Sequence, residues 1–392
     1  MLRLLHTADV HLGARHADLG DVASAQRERQ FAAFRASVDL AISEKVDLFL
    51  IAGDLFDSNT QPKRSVERVA AELARLVAAK IRTVILPGTH DCYERSSIYR
   101  AYDLPAMAGI GPNDDLITVL TPDRGSVAIP TCDVVVHGTV FPTKRAPHSP
   151  LRDVKISQTE RQSTWHVGMV HGALSIPGRT DGDEVVVTKE EIGATGLDYL
   201  ALGHWHSFQK GSAGGTAYAY SGAPEPVAVN QDGAGNVALV TLDEPGGIRT
   251  VTVDERRVGK TTFERLTVDA ASIGGQPDLV SKINAKANPD LVLDVVLTGV
   301  RPDELDLNID EIEGQLTESF LRVRVRDTSV PALSTGALPS ADTISGAFIR
   351  NVEGRIAELE ADPSDQSTLE ASELRDVLRL GRLLLAGHEV VL

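Results

Sequence analysis

The first hundred residues alternate short apolar runs with amphipathic stretches, and this alternation limits the fold more than any other feature of the sequence. The apolar runs 2–8, 46–54 and 82–88 have the length of buried strands. Between them, residues 24–44 and 63–80 place apolar side chains at helical spacing. The order strand, helix, strand, helix, strand predicts parallel strand pairing in an α/β layer.

The chain becomes rich in strand-like runs between about residue 115 and residue 258. Short apolar runs follow one another closely there, with Pro and Gly between them. We therefore predict two packed β-sheets with the helices outside them. The segment NQDGAGN, residues 230–236, has the composition of a hairpin turn.

Three domains follow from these patterns. Residues 1–258 form the predicted α/β domain, and residues 259–330 repeat strand, helix, strand, helix, strand as a small α+β domain. Residues 331–392 read as a linker followed by C-terminal helices with two apolar stripes. One stripe is Ile344, Phe348, Val352, Ile356 and Leu359, and the other is Leu374, Val377, Leu378 and Leu384. The stripes admit two interpretations, packing on the protein's own core or docking to a partner.

The charge of the chain limits its ligands. The formal net charge is −16, and from residue 261 onward 12 Lys and Arg stand against 23 Asp and Glu, a net charge of −11. A free-standing nucleic-acid-binding protein usually carries a basic surface. A polyphosphate substrate would therefore need local patches, metal ions or a partner protein.

Neither a membrane segment nor a disulfide framework is predicted. No apolar run approaches the roughly 20 residues of a membrane span, and the N-terminal run reads as a strand rather than a signal peptide. The two cysteines, Cys92 and Cys132, have neither disulfide-framework nor zinc-site spacing. We expect a cytoplasmic protein.

Five short segments place metal-binding residue types at the ends of predicted strands. They are ADVH (Asp9, His11), GDLFD (Asp54, Asp57), GTHD (His90, Asp91), MVHG (His171) and GHWH (His204, His206). In extended backbone, residues two apart point to the same side, so Asp9 with His11 can face one point. Ligands bind at the carboxyl ends of strands in α/β sheets. Mixed carboxylates and imidazoles suit Mn²⁺, Fe²⁺ or Zn²⁺.

The other six histidines carry no such context. We assign ordinary surface or core roles to His6, His16, His137, His148, His166 and His388.

The ordered set D-x-H, G-D-x-x-D, G-[N]-H-D, H and G-H-x-H resembles the signature of the calcineurin-like metallophosphoesterases. The stretches HTADVHLG, GDLFDS and YSGAPEP are similar more narrowly to the DNA-repair exonuclease branch, that of the SbcD-type nuclease subunit. The specific motifs cover about the first 230 residues. The resemblance implies a four-layer sandwich, with two β-sheets between layers of helices, followed by a capping domain and C-terminal helices.

The resemblance also implies roles for the site residues and two Mn²⁺ ions per chain. The first metal would be held by Asp9, His11, Asp54 and His206. The second would be held by Asp54 as the bridge, the residue at position 89, His171 and His204. A hydroxide that bridges the metals would attack phosphorus, His90 would assist the leaving group, and Asp57 would hydrogen-bond His90.

Thr89 departs from the family pattern, which has asparagine at this position. A threonine hydroxyl is shorter and a poorer neutral donor than an amide oxygen. Thr89 would bind the second metal directly or through water and make that site weak, or the protein would work with mainly one metal. The third alternative is an inactive scaffold. The other ligand positions are intact, which disfavours this alternative, because clustered carboxylates and histidines are costly to keep without a metal.

Three functions remain open at this point. The first is a Mn²⁺-dependent DNA nuclease, an exonuclease by preference, which forms a homodimer and binds a coiled-coil ABC-type ATPase through its C-terminal helices. The second is a phosphodiesterase or phosphatase for small substrates. The third, suggested by Thr89, is a non-catalytic adaptor for the ATPase.

Overall fold

The computed structural model describes residues 1–385 except for 112–113, 158, 160–163, 181, 229–232, 303–304, 332–338 and 362–364. The chain divides into two compact units, Met1–Thr262 and Phe263–Leu392.

The first unit is built on strands with a few helices between them. Its strands are β1 (Leu2–Thr7), β2 (Leu48–Ala52), β3 (Arg82–Leu86), β4 (Ile117–Val119), β5 (Ser126–Ile129), β6 (Val134–Gly138), β7 (Trp165–His171), β8 (Ala173–Leu174), β9 (Val186–Val187), β10 (Tyr199–Gly203), β11 (Gln209–Ala213), β12 (Thr216–Tyr220), β13 (Asn236–Asp243) and β14 (Thr250–Arg257). Its helices are α1 (Ala23–Ser43), α2 (Lys63–Ala78) and α3 (Lys189–Ala194), with single-turn helices at Ile98–Ala101 and Leu104–Met107.

Twelve of these strands form two mixed sheets. The first sheet has the order β14-β13-β1-β2-β3-β4, in which β1 to β4 are parallel and β13 and β14 are antiparallel additions. The second has the order β11-β12-β10-β7-β6-β5, with parallel central strands and antiparallel edges. Parallel pairing brings the carboxyl ends of β1, β2 and β3 to one edge, and those of β7 and β10 to another.

Alternation along the strands explains how the layers pack. In β2, Phe49 and Ile51 face helices α1 and α2, whereas Leu48 and Leu50 face the second sheet, where they meet side chains such as Val167. A further buried cluster lies on the far side of the second sheet and includes Ile192 of α3. The prediction of two packed sheets flanked by helices is therefore confirmed.

The predicted hairpin turn at residues 230–236 is wrong. Strand β12 precedes it in the second sheet and strand β13 follows it in the first sheet, so the segment connects the two sheets. Residues 229–232 themselves lie outside the described residues.

The described residues of the second unit form a small sheet, a pair of two-residue strands and four α-helices. Its strands are β15 (Thr262–Asp269), β16 (Asn288–Thr298), β17 (Val300–Arg301), β18 (Phe320–Asp327) and β19 (Val330–Pro331), and its helices are α4 (Gln276–Asn284), α5 (Ile309–Leu316), α6 (Ile344–Glu360) and α7 (Asp365–Leu385). The sheet order is β15-β16-β18, with β16 and β18 parallel, and α4 and α5 contribute to its core.

Helices α6 and α7 pack against each other only partly through the predicted stripes. A Cβ atom at Gly381 would lie 2.2 Å from the Phe348 ring, so the two helices approach closely there. Ile344, Val377 and Leu384 remain 81%, 47% and 60% exposed. The stripes are therefore buried in part and leave apolar side chains on the surface.

Candidate metal centre

The two sheets meet at the strand ends that carry the predicted ligands. His171 ends β7, and its Nδ1–H donates to the carbonyl oxygen of Ala52, the last residue of β2, at 2.9 Å. The main-chain N–H of His204, just after β10, donates to both carboxylate oxygens of Asp9 at 3.0 Å. Because a carbonyl oxygen only accepts, the proton on Nδ1 leaves Nε2 of His171 directed at the carboxylates.

Two glycines allow this close approach. A Cβ atom at Gly53, where φ is +93°, would lie 2.1 Å from Nδ1 of His171. A Cβ atom at Gly203 would lie 2.1 Å from the Ala52 carbonyl oxygen. Any side chain at either position would push the two sheets apart at the site.

Four of the predicted ligands have left-handed backbone conformations. The φ angles are +53° at Asp9, +48° at His11, +52° at Asp54 and +100° at His204. This region is costly for residues other than glycine, and it is enriched at functional sites, where the surrounding structure holds it in place. The strained turns direct side chains from strand ends toward one point.

The side chains form three overlapping groups whose ligand atoms lie within 4.8 Å of one another. The groups are Asp9 with His11 and His206, Asp9 with Asp54 and His171, and His11 with Asp57 and His90. Asp54 Oδ2 lies 3.1 Å from His171 Nε2 and 3.7 Å from His11 Nε2, between the histidines of two groups. The arrangement can therefore place one carboxylate between two cations.

The electrostatics of this centre are dominated by burial and by close opposite charges. Burial would raise the pKa of Asp54, but the positive charges of His171 and His11 hold it well below its usual range. Burial would lower the pKa of His171, but the Asp54 carboxylate raises it to about 10. Without a metal, a proton on His171 therefore balances the Asp54 carboxylate.

His90 is held by the main chain of Asp57. Its Nδ1–H donates to the Asp57 carbonyl oxygen at 3.0 Å, whereas the Asp57 carboxylate lies 3.9 Å away. That carboxylate is nearer to His11, with 3.3 Å between Oδ1 and Nδ1. His90 is 49% exposed, and its ring packs edge-on to that of His11 with 4.6 Å between centroids. The contact between Asp57 and His90 thus exists, but through a carbonyl oxygen.

Thr89 and His204 lie beside the three groups. Thr89 is half-buried and, with His171 and Val185, lines a cavity of about 20 Å³. A cavity of this size has room for about one water molecule. The ring of His204 lies 5.6 Å from that of His171 between centroids, nearly perpendicular to it. Their roles as ligands of a second metal stay predictions.

Divalent cations fit this donor set. Both ring nitrogens of His11 and Nε2 of His171 are buried and make no hydrogen bond of good geometry within the described structure, although carboxylate oxygens lie 3.1–3.7 Å away. Buried polar atoms of this kind call for a specific explanation, and a bound ion is one. Imidazole nitrogens with carboxylate oxygens are the ligands of Mn²⁺, Fe²⁺ and Zn²⁺.

Asp91, which belongs to the GTHD motif but has no predicted role, connects two of the loops that carry the predicted ligands. Its Oδ1 accepts from the Gly88 N–H at 2.7 Å, and its Oδ2 accepts from the Phe56 N–H at 3.1 Å and from the Tyr99 hydroxyl at 2.6 Å. This buried carboxylate therefore ties the loop after β2 to the loop after β3. Tyr99 has no motif around it, so its part in the site was not predicted from the sequence.

The remaining histidines that the structure describes have ordinary partners. His6 bonds to the Tyr199 hydroxyl and His16 to Gln30, each at 2.9 Å. His137 and His166 bond to each other, and His148 packs edge-on to Phe141. His388 lies outside the described residues.

Comparison with known proteins adds independent information. The family model for calcineurin-like phosphoesterases matches residues 2–208. The DNA double-strand break repair protein Mre11 of Aeropyrum pernix is 28% identical over 59% of this chain and 55% of its own length. The SbcD component of the SbcCD nuclease of Rhodobacter capsulatus is 26% identical over 59% of this chain and 64% of its own length.

A longer match is to the metallophosphoesterase YhaO of Bacillus subtilis, which is 23% identical over 96% of this chain and 89% of its own length. The chain thus spans about half the length of the Mre11 relative, and it matches YhaO almost from end to end. In the described part of the chain, no helix combines the length and the apolar character needed to cross a bilayer.

Proposed function

This chain belongs to the calcineurin-like phosphoesterase family, and on that premise we propose that it is a Mn²⁺-dependent nuclease that hydrolyses phosphodiester bonds in DNA. We prefer an exonuclease. The observation that carries the proposal is the convergence of acids and histidines from five strand ends into overlapping groups. Relatives named as a double-strand break repair protein and as part of a nuclease favour DNA over other phosphoesters.

The donor set divides into two sites with Asp54 between them. Asp9, His11 and His206 would hold the first cation, and His171, His204 and Thr89 would complete the second. Divalent cations supply Lewis acidity, which lowers the pKa of water and stabilises negative charge on phosphoryl oxygens. The position of Asp54 between His11 and His171 supports its assignment as the bridge.

His90 is the residue placed to move a proton. Its Nδ1–H is engaged by the Asp57 carbonyl oxygen, which sets the orientation of the ring. Nε2 is then the atom that gives a proton to the leaving oxygen of the substrate. A positioned acid of this kind contributes roughly 10²–10⁴-fold to a rate.

The acidic charge of the chain favours help from a partner in holding DNA. We propose a coiled-coil ABC-type ATPase that docks on α6 and α7, where Ile344, Val377 and Leu384 stay exposed. We further propose that the protein forms a homodimer and acts in the cytoplasm. Contiguous apolar patches on a surface mark interaction sites, and these side chains would supply part of such a patch.

The test is metal-dependent cleavage by the purified chain. We expect cleavage of single- or double-stranded DNA with Mn²⁺, none with excess chelator, and a roughly 10²–10⁴-fold lower kcat in His90→Asn with unchanged Mn²⁺ binding. His148→Asn, at a histidine outside the three ligand groups, is the matched control. The absence of cleavage at saturating Mn²⁺ would count against the proposal.

A phosphodiesterase for small substrates is the second candidate, favoured by the net charge of −16. Turnover of a chromogenic phosphodiester, a cyclic nucleotide and an oligonucleotide separates the two. A higher kcat/KM for the oligonucleotide supports the nuclease. If no substrate turns over and Thr89→Asn does not restore activity, the chain is an adaptor rather than an enzyme.

A further inference from the structure

The loop that follows β7 returns to the metal centre. Strand β8 begins two residues after His171 and pairs in parallel with β9, so that Ala173 lies opposite Val186. The Ala173 N–H donates to the Val185 carbonyl oxygen at 2.8 Å. A Cβ atom at Gly172 would lie 2.7 Å from the Val185 side chain, so the returning segment packs directly on the strand end.

This anchoring places an acid beside a predicted ligand. Asp183 lies just before β9, and its N–H donates to the Thr180 carbonyl oxygen at 3.1 Å. Its Oδ2 lies 3.8 Å from Nε2 of His204, and both side chains are half-buried. The sequence motifs do not include this residue.

His204 needs an orienting partner on its ring. Its main-chain N–H is fixed by the Asp9 carboxylate, but a main-chain contact does not set the orientation of the ring. Metal-binding histidines almost always donate the N–H of the second ring nitrogen to a carboxylate, a carbonyl or water, which fixes the ring and makes the ligating nitrogen more basic. In this chain, Asp183 is the carboxylate that approaches Nε2.

We propose that Asp183 is a positioning residue for the second metal site, where it accepts a hydrogen bond from Nε2–H of His204 and directs Nδ1 of His204 to the metal. The present separation of 3.8 Å exceeds a hydrogen bond. A shift of about 1 Å by two partly exposed side chains closes it. Asp183 thereby compensates for Thr89, because a better-oriented and more basic histidine offsets the weaker oxygen donor. The inference rests on the proposed function in requiring a bound metal.

The experiment is Mn²⁺ binding to the full chain, measured by isothermal titration calorimetry and by electron paramagnetic resonance of the free ion. We expect two ions per wild-type chain. Asp183→Ala should weaken the second binding step about 10- to 100-fold and leave the first unchanged. Asp183→Asn should be intermediate, because its amide oxygen still accepts a hydrogen bond.

Glu184→Gln is the matched control, since the described contact of Glu184 is a main-chain one, in which its carbonyl oxygen accepts from the Ala146 N–H. It should bind both ions as the wild type does. Wild-type affinities in Asp183→Ala overturn the inference, and so does an equal loss at both sites with a lowered Tm in chelator. Binding of a single Mn²⁺ per wild-type chain also overturns the inference, but the proposed function still stands if the chain cleaves DNA. No Mn²⁺ bound at all overturns the proposed function itself.

Discussion

At the scale of single residues, position 89 is where this chain differs most informatively from its family. Thr89 borders the small cavity beside His171, so a longer amide side chain has space to reach toward the centre. We expect Thr89→Asn to tighten the second Mn²⁺ binding step by about tenfold, or about 1.4 kcal/mol, and to raise kcat at limiting Mn²⁺. Calorimetric titration and initial rates over a range of Mn²⁺ concentrations measure both.

Thr89→Val is the isosteric control for that change. It removes the hydroxyl and keeps the shape, so the second step should weaken if Thr89 contributes a ligand or holds a bridging water. Equal binding by Thr89→Val and the wild type would show that the hydroxyl takes no part.

His6 makes stability depend on pH for a reason unrelated to metal. Burial lowers the pKa of His6 to about 3, against 6.5 in the unfolded chain. Below pH 6.5 the His6 side chain is therefore protonated in the unfolded state but still neutral in the folded state. The free energy of unfolding falls as the pH falls from 6.5 toward 3. Each pH unit costs about 1.4 kcal/mol within this window.

His6→Asn removes this titration and keeps a polar atom near the Tyr199 hydroxyl. Urea unfolding in chelator between about pH 7 and about pH 4.5 should show a free energy of unfolding that declines less steeply in His6→Asn. We expect the variant to be less stable at neutral pH, so the slopes are compared and not the absolute free energies of unfolding. Parallel slopes would show that His6 is not buried in its neutral form.

The residue types of the centre could be predicted from sequence, whereas their conformations could not. Spacing places Asp9 and His11 at one strand end, and extended geometry suggested that they face one point. Asp9 and His11 do belong to one group of ligand atoms, but left-handed turns at both residues, with φ of +53° and +48°, direct them there rather than extended backbone. Asp183 and Tyr99 cannot be predicted from motifs, because their roles come from side-chain contacts. Asp183 approaches His204 from a returning loop, and the Tyr99 hydroxyl donates to Asp91.

At the scale of elements, strands and helices of the first hundred residues could be predicted because burial and periodicity agree there. Helix α2 begins at Lys63, directly after Pro62, as the proline implies. The segment at 230–236 shows that composition predicts a turn but not which strands pair on either side of it. Gly and Asn indicate a turn, but the partner strands of β12 and β13 are chosen by packing across the whole first unit.

The loops after β2 and β3 depend on one buried carboxylate. Burial, followed by the negative charge of Asp54, raises the pKa of Asp91, and the Tyr99 hydroxyl is one of its three donors. We expect Tyr99→Phe to cost about 2 kcal/mol of unfolding free energy. The loosened loops should also lower kcat about tenfold, since small misplacements of catalytic groups are costly.

Urea unfolding and DNA cleavage rates test this prediction, with Tyr102→Phe as the control on the neighbouring partly buried tyrosine. Tyr102→Phe should leave both quantities near the wild-type values. Equal effects of the two substitutions would mean that the hydrogen bond from Tyr99 to Asp91 makes no specific contribution to the stability of the loops.

At the scale of the whole molecule, charge separates this chain from proteins that bind DNA through a basic groove. Residues 261–392 carry a net charge of −11 out of a total of −16, which leaves −5 for residues 1–260. A protein that neutralises six to ten phosphates loses about 10³–10⁵ in affinity between roughly 50 and 200 mM salt. This chain lacks the excess of Lys and Arg that such contacts need.

We therefore expect kcat/KM for a single-stranded oligonucleotide to fall less than about tenfold over that salt range at saturating Mn²⁺. The oligonucleotide is attracted mainly by the cations at one site. Salt also screens its repulsion from the acidic rest of the chain. A chromogenic diester that carries a single phosphate, measured in parallel, corrects for direct effects of salt on the metal site. A steep fall for the oligonucleotide alone would reveal a clustered phosphate-binding surface. A shallow fall in kcat/KM implies that tight DNA binding comes from a basic partner. Addition of that partner should then make kcat/KM depend steeply on salt.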